Sequence, residues 1–188
     1  MAINYRQCIS CGSKNSVPII YGMPSVEAFE EEQAGKVKLG GCLVSTDDPE
    51  YHCKDCAYKW SRIEAEKYAY DSIRGLKASV GGFHEGFYEV TVNFTTLEVK
   101  WNYSNEGEKV RKRLGLKTLD RFRNELLFLN VLNWRRQYID ESILDGTQWA
   151  VEIYREGRTL RRSGSNDFPA EWEGFCQVMA RISGKRFR

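Results

Sequence analysis

Apolar and polar positions alternate in two different ways along the second half of the chain, and the two periods predict different elements. A period of two predicts four strands, at 87–94, 97–103, 149–154 and 158–163. A short turn separates the members of each pair, so we expect two hairpins. Apolar residues at helical spacing predict one helix that Thr118 caps and another that Pro169 opens. Asp145 and Gly146 are predicted to turn the chain before the third strand.

These elements follow one another in the order strand, strand, helix, strand, strand, helix. We expect them to pack as a small antiparallel sheet with helices on one face, in ββαββα order, which is an α+β fold. The residues before them predict a helical connector that Gly75, Gly81 and Gly82 interrupt. The predicted domains are residues 1–62, the connector 63–82 and the α+β domain 83–188.

The first third of the chain mixes short predicted strands with one short helix. Strands are predicted at 17–21 and 37–39, a strand or loop at 43–45, and the helix at 26–34. Ser25 is placed to accept a hydrogen bond from the first turn of this helix, and Gly35 stands where a glycine commonly ends one. The three glutamates at 30–32 are its solvated face.

Two C-x-x-C pairs carry the strongest chemical pattern in the chain. They predict a metal site with four thiolate ligands, Cys8, Cys11, Cys53 and Cys56. Two intervening residues let a tight turn direct both sulfurs of a pair at one ion, and four thiolates close a tetrahedral Zn²⁺ site. We therefore expect one structural zinc ion in an N-terminal zinc ribbon with a helical insert. Gly12 can take the positive φ that helps the first turn close, whereas Ala57 holds that place in the second pair.

Disulfides or a redox-active pair would use the same four cysteines. No apolar segment of a signal peptide precedes the first pair, so we expect a reducing, cytoplasmic setting, where C-x-x-C pairs more often bind metal. Neither pair is accompanied by the βαβ pattern of a thioredoxin-like site. The 41 residues between the pairs, 12–52, exceed the spacing of a compact ribbon, and the predicted helix and strands fill this gap.

Four further patterns accompany the cysteines, namely CxxCGS, VPIxYGMP, LGGC and PxxxCxxC, over about residues 8–60. This stretch resembles a bacterial zinc-ribbon family to which no activity is assigned. The resemblance implies four-cysteine zinc binding and a helical insert. A second stretch, DGTQW followed by GSNxFP in residues 145–169, is similar to a motif of functionally unassigned bacterial proteins. Its glycines and proline imply hairpin turns and a helix start, and no chemistry.

Three more side chains are candidates for chemistry. Cys42 is either a fifth thiol near the metal or a small buried apolar residue, and free cysteine is usually buried and inert. His52 adjoins Cys53 and could compete as a ligand, although a neighbouring side chain generally points away. His84 lies in a glycine-rich loop, and no nucleophile is paired with it in the sequence.

Composition limits the class of protein but not its function. The content of apolar residues, 41%, is enough for a packed core, and no apolar run approaches the length of a membrane span. The formal net charge of +2 does not by itself imply a polyanionic partner. Residues 1–66 hold 7 Lys/Arg against 10 Asp/Glu, and residues 67–188 hold 21 against 16. This asymmetry indicates different roles for the two parts.

Basic residues concentrate in two predicted segments of the second part. They are Lys109, Arg111, Lys112, Arg113, Arg155, Arg158, Arg161 and Arg162. We expect a non-enzymatic, zinc-stabilised binding protein that contacts nucleic acid through these side chains. A protein–protein adaptor or regulatory subunit is the alternative, because Lys and Arg also line ordinary solvated faces. An enzyme is the third hypothesis. Its site would have to be an unrecognised one, because no hydrolase, metalloprotease or phosphate-loop motif occurs.

Overall fold

The computed structural model describes residues 3–82, 84–143 and 146–188. The chain divides into two compact units, Ile3–Ala69 and Tyr70–Arg188, called here the first and the second unit. The division falls inside the predicted connector. The predicted domain start at Phe83 and the predicted turn residue Asp145 lie outside the described residues.

The first unit is built on a four-stranded sheet in the order β2-β1-β3-β4. Its elements are β1 (Ser16–Tyr21), α1 (Val26–Gln33), β2 (Lys38–Gly41), β3 (Tyr51–Cys53) and β4 (Lys59–Trp60), followed by α2 (Arg62–Asp71). Strands β1 and β2 are parallel and α1 connects them, whereas β1–β3 and β3–β4 are antiparallel. Of the two alternatives for residues 43–45, the loop is found, because this segment forms no strand and Leu43 and Val44 are exposed.

Helix α1 begins and ends where the sequence predicts. The Ser25 side chain accepts a hydrogen bond from the backbone N–H of Ala28, at 3.3 Å. Gly35 follows the helix with φ +68°, a conformation in which a side chain is strained. None of the residues of α1 is buried. The helix is therefore held by its cap and its connections rather than by a packed apolar face.

The second unit is built on a seven-stranded sheet in the order β8-β7-β6-β5-β10-β11-β9. Its strands are β5 (Ile73–Gly82), β6 (Gly86–Asn93), β7 (Glu98–Tyr103), β8 (Lys109–Arg113), β9 (Gln137–Ile139), β10 (Gln148–Arg155) and β11 (Arg158–Ser165). Its helices are α3 (Leu116–Phe128), a 3₁₀ turn (Val131–Asn133) and α4 (Trp172–Ser183). The mixed α+β class is confirmed. Both predicted hairpins form, as the antiparallel pairs β6–β7 and β10–β11.

The predicted ββαββα order is not confirmed, because the sheet contains three further strands. The most important is β5, which occupies the second half of the predicted helical connector and is the central strand. Helix α2 occupies only the first half. A Cβ added at Gly81 would lie 2.0 Å from the carbonyl oxygen of Gly86 on the neighbouring strand. The glycines that suggested breaks thus permit close approach of backbones within a sheet.

The other two strands that the sequence reading missed form the edges of the sheet. Strand β8 is rich in lysine and arginine, and β9 has three residues. Charged or very short strands are common at sheet edges, because they disfavour pairing with another chain. Strand β9 pairs parallel with β11, so the sheet is mixed rather than antiparallel throughout.

The helices cover one face of this sheet. Trp101 on β7 and Trp149 on β10 share that face, because both align through the register with the apolar side of β5. The Trp149 ring lies 4.6 Å from the ring of Trp172, the first residue of α4, between centroids. Phe122 of α3 contacts Phe94 edge to face, at 5.9 Å. Lys77 and Glu89 mark the opposite face, which is half exposed and polar.

Candidate metal centre

The first C-x-x-C pair forms a tight turn that two backbone hydrogen bonds close. The N–H of Cys8 donates to the carbonyl of Ser13 at 2.8 Å, and the N–H of Gly12 donates to the carbonyl of Cys8 at 2.9 Å. Gly12 takes φ +74°, as its position after the second cysteine predicted. These bonds place Cys8 and Cys11 on the same side of the turn.

The second pair repeats the first bond for bond. The N–H of Cys53 donates to the carbonyl of Tyr58 at 2.8 Å, and the N–H of Ala57 donates to the carbonyl of Cys53 at 3.0 Å. Ala57 takes φ +61°, so the turn keeps its geometry although the residue is not glycine. Two pairs 41 residues apart therefore adopt the same backbone turn.

The four sulfur atoms of the two turns converge. All four Sγ atoms lie within 4.8 Å of one another. The Cys8 and Cys56 sulfurs are 3.6 Å apart, and so are those of Cys11 and Cys53. A tetrahedral Zn²⁺ site with bonds of about 2.3 Å requires sulfur–sulfur separations of about 3.8 Å. The cysteines are thus positioned to hold one metal ion, and the distances are far too long for disulfide bonds.

The thiols affect one another's ionisation. Burial raises the pKa of Cys53, but the backbone N–H groups of Cys56 and Asp55 and the adjacent thiols outweigh it, so the pKa falls to about 7. The backbone N–H of Ser13 lowers the pKa of Cys11, but neighbouring thiols, first that of Cys56, raise it to about 12. The first thiolate therefore forms readily and later ones are repelled. A cation at the centre removes this repulsion.

Outer contacts hold the two turns together. The Asp55 carboxylate of the second turn accepts hydrogen bonds from Ser13 Oγ at 2.5 Å and from Asn15 Nδ2 at 2.6 Å. The same bonds lower the pKa of Asp55. The Trp60 indole donates to the carbonyl of Tyr5 at 2.9 Å. Trp60 packs with Cys8, so the cluster rests on a small apolar core.

The other candidate ligands lie outside the cluster. Within the described ranges, the group of side chains that could hold a metal consists of the four cysteines, without Cys42 or His52. Cys42 is exposed, so the expectation of a buried thiol is wrong. Burial and the charges of Lys59 and Lys38 lower the pKa of His52. His84 is exposed in its loop. The buried Cys176, which the sequence reading passed over, has a pKa that burial raises to about 12 and is an inert core thiol.

The eight basic residues singled out from the sequence do not form one stripe. Four lie on the edge strand β8, namely Lys109, Arg111, Lys112 and Arg113. Four lie on β10 and β11, namely Arg155, Arg158, Arg161 and Arg162. Three strands, β7, β6 and β5, separate the two groups in the sheet. Carboxylates neutralise one member of each group, because Arg111 pairs with Glu98 and Arg161 pairs with Glu152 at 3.2 Å.

Arg162 differs from these paired arginines. Its register with Val151 places it on the helix-covered face, where its guanidinium donates to the carbonyl oxygens of Leu132 and Arg161 at 3.0 and 2.9 Å. Its Nε is buried without a hydrogen-bond partner, and no carboxylate of the described chain lies within ion-pair distance. Burial lowers the pKa of Arg162, and the charges of Arg158 and Arg136 lower it further. Arg136 lies beside this strand, because its carbonyl accepts from the N–H of Ser163 at 3.2 Å, and Arg158 lies on β11 itself.

No protein-family model matches the chain, and no curated protein matches its sequence. The resemblance to a bacterial zinc-ribbon family is thus confirmed only as far as the four-cysteine cluster. Among the described helices, none is long and apolar enough to cross a membrane.

Proposed function

We propose that this protein is a zinc-stabilised binding protein that contacts the phosphate backbone of nucleic acid. The metal part rests on the donor set of the cluster. The four sulfur atoms lie at separations close to those of a tetrahedral site. Thiolate ligands suit Zn²⁺ better than Mg²⁺ or Ca²⁺, which prefer oxygen ligands. Four protein ligands leave no coordination position for water or substrate. The zinc therefore stabilises the first unit and performs no hydrolysis.

The binding part rests on one observation, the half-buried guanidinium of Arg162. Its positive charge has no carboxylate partner in the described chain, and Arg136 and Arg158 add to the local positive potential. We call Arg136, Arg158 and Arg162 the arginine cluster. Burying uncompensated charge is costly unless an anion completes the site. A phosphate group supplies that charge and accepts several N–H bonds from guanidinium groups.

Nucleic acid is the source of phosphate that best fits an open surface with clustered arginines. Its backbone offers repeated phosphates to a shallow, positively charged surface, and no pocket that encloses a small phosphate ester is required. The unpaired cations of β8 would then serve mainly to protect a sheet edge. The basic residues that looked like one group in the sequence therefore have two different roles, one on β8 and one in the arginine cluster. Only those of the arginine cluster are assigned to phosphate.

The salt dependence of binding tests the proposal. The probe is a fluorescein-labelled, mixed-sequence oligonucleotide, single-stranded and as a duplex, followed by anisotropy across a range of NaCl concentrations. We expect binding that weakens steeply with salt. Arg136→Gln and Arg158→Gln, both exposed positions, should each weaken binding and reduce the slope of log K against log[NaCl] by about 1.

Arg161→Gln is the matched control, because Arg161 adjoins Arg162, points to the opposite face and is already paired with Glu152. Its removal should change the slope by less than the cluster variants do. Binding that does not depend on salt, or equal effects of Arg158→Gln and Arg161→Gln, would contradict the proposal.

A further inference from the structure

The first unit carries an exposed apolar surface for which its own fold gives no reason. We propose that this surface docks a basic, apolar segment of another protein. The surface, called here the apolar end, consists of Met23, Val26, Phe29, Leu43 and Val44. It lies on a different unit from the arginine cluster and needs a different partner. The inference therefore stands apart from the proposed contact with nucleic acid.

The parallel arrangement of β1 and β2 brings these residues to one edge. Both strands finish at the same side of the sheet, where the N–H of Gly22 donates to the carbonyl of Gly41 at 2.9 Å. Met23 lies two residues after the end of the first strand, and residues 42–44 follow the second. Helix α1 starts at this edge as well, with Val26 as its first residue. Phe29 lies one turn further along the same helix face.

The side chains of the apolar end are open to solvent to an unusual degree. Met23 is 96% exposed, Leu43 90%, Val44 73%, Val26 72% and Phe29 50%. Single exposed apolar residues are ordinary on protein surfaces, but a concentration of large ones marks an interaction site. Helix α1 has no buried residue, so its apolar side chains do not serve a core of their own unit.

The charges around the apolar end are mostly negative, because the only basic residues in the sequence from Met23 to Val44 are Lys36 and Lys38, and Lys38 pairs with Glu32. Residues 15–35 and 39–53 contain no lysine or arginine and seven acidic residues. Some of the seven have local partners: Glu32 pairs with Lys38, Glu50 accepts from the N–H of Arg62, and Asp48 accepts from the N–H of Ser45 at 2.6 Å. Glu27, Glu30 and Glu31 on α1 are exposed and have no ion pair within the described ranges.

An acidic rim around apolar side chains determines the chemistry of the occupant. Phosphate backbones and anionic lipid surfaces are repelled by such a rim. A polypeptide with apolar side chains flanked by lysine or arginine satisfies both parts of the surface, and the opposite charges set its register. A symmetric dimer formed through this surface is disfavoured for the same reason, because the acidic residues of one copy would face those of the other.

A model peptide tests the inference directly. The probe is a fluorescein-labelled amphipathic helix of about 18 residues built from leucine and lysine, and its counterpart replaces every lysine with glutamate. Anisotropy with the full zinc-loaded chain should show binding of the lysine peptide and at least tenfold weaker binding of the glutamate peptide. The double variant Met23→Ser/Leu43→Ser should weaken binding of the lysine peptide at least tenfold.

Ile63→Ser is the matched control, because Ile63 is 77% exposed on α2, outside the apolar end. It should leave peptide binding unchanged. Equal binding of both peptides, equal loss in the control, or self-association of the wild-type chain that the double variant abolishes in sedimentation would overturn the inference. Zinc content and oligonucleotide binding, measured on the same samples, should stay at wild-type values in the double variant. A failure of the docking surface is thereby distinguishable from a failure of the proposed function.

Discussion

The first unit buries eight apolar side chains over Ile3–Ala69, whereas the second buries 28 over the described part of Tyr70–Arg188. Two of the eight are cysteines of the metal cluster and two are alanines. The second unit contains instead an aromatic core in which Trp134 contacts both Trp149 and Phe175. Hydrophobic burial therefore stabilises the second unit by itself. We expect the first unit to depend on a metal ion held by its four cysteines, because a small core leaves little free energy of unfolding.

The two units also differ in what their surfaces offer. The first unit carries 8 Lys/Arg against 10 Asp/Glu, and its exposed apolar residues lie among the acids. The second carries 20 against 16, and its half-buried Arg162 has no carboxylate within ion-pair distance in the described chain. The difference indicates that one chain presents two surfaces of opposite chemistry. Each can be removed without the other, which makes the comparison testable.

The largest expected effect comes from loss of the metal. Cys53→Ser should abolish stoichiometric zinc and unfold the first unit, because structural zinc contributes on the order of 10 kcal/mol to such folds. The second unit should stay folded. Zinc is measured by atomic emission, and hydrogen exchange reports protection of β1 and β5 separately. Cys42→Ser, an exposed thiol outside the cluster, is the control and should change neither. A Cys53→Ser variant that keeps one zinc per chain would contradict the assignment.

The next largest effect concerns the central strand of the second unit. Gly81→Ala should lower its free energy of unfolding by about 3 kcal/mol, because the new Cβ would lie 2.0 Å from a backbone oxygen that cannot move freely. Gly82→Ala is the control, since its Cβ would meet the nearest atom at 3.3 Å. Urea denaturation should show a large shift for the first variant and a small one for the second. Zinc content should be unchanged in both, and equal shifts would show that β5 is wrongly placed.

The smallest expected effect comes from the residue that follows the second cysteine of each turn, which is Gly12 in the first turn and Ala57 in the second. Ala57→Gly should stabilise the first unit by about 1 kcal/mol, because alanine at φ +61° is strained and glycine is not. Competition with a chromophoric chelator should show zinc bound about fivefold more tightly. Gly12→Ala tests the same strain in reverse, since no atom lies within 4 Å of the new Cβ and only its φ of +74° opposes it. Ala57→Gly is expected to raise the affinity for zinc and Gly12→Ala to lower it. A change in the same direction in both variants would contradict the equivalence of the two turns.

The elements that the sequence predicted well are those with local causes. The Ser25 cap, the Gly35 helix end, the Gly12 turn and both hairpins of the second unit follow from neighbouring residues. Strand β5 was missed because its glycines look like breaks when read alone. Their role becomes visible only beside β6, whose backbone occupies the space of a side chain.

The candidate sites divide in the same way. The spacing of the cysteines was sufficient to identify four thiols as one group, because each pair forms its turn from its own residues. The basic residues looked equivalent along the chain, and register alone placed Arg161 beside Glu152 and Arg162 on the other face. A period of two sends neighbouring side chains to opposite faces, so adjacent residues in a strand meet different surroundings.

By itself, then, the sequence determined the metal donors, the capped helix and the two hairpins, since short-range hydrogen bonding and φ preferences decide them. The tertiary structure decided which strand lies at the centre of the sheet, that Arg162 has no carboxylate partner among the described residues, and which apolar side chains remain outside a core. These properties depend on contacts between residues far apart in the chain. Burial and charge in the folded state determine the free energy of these long-range contacts, and no local sequence pattern encodes them.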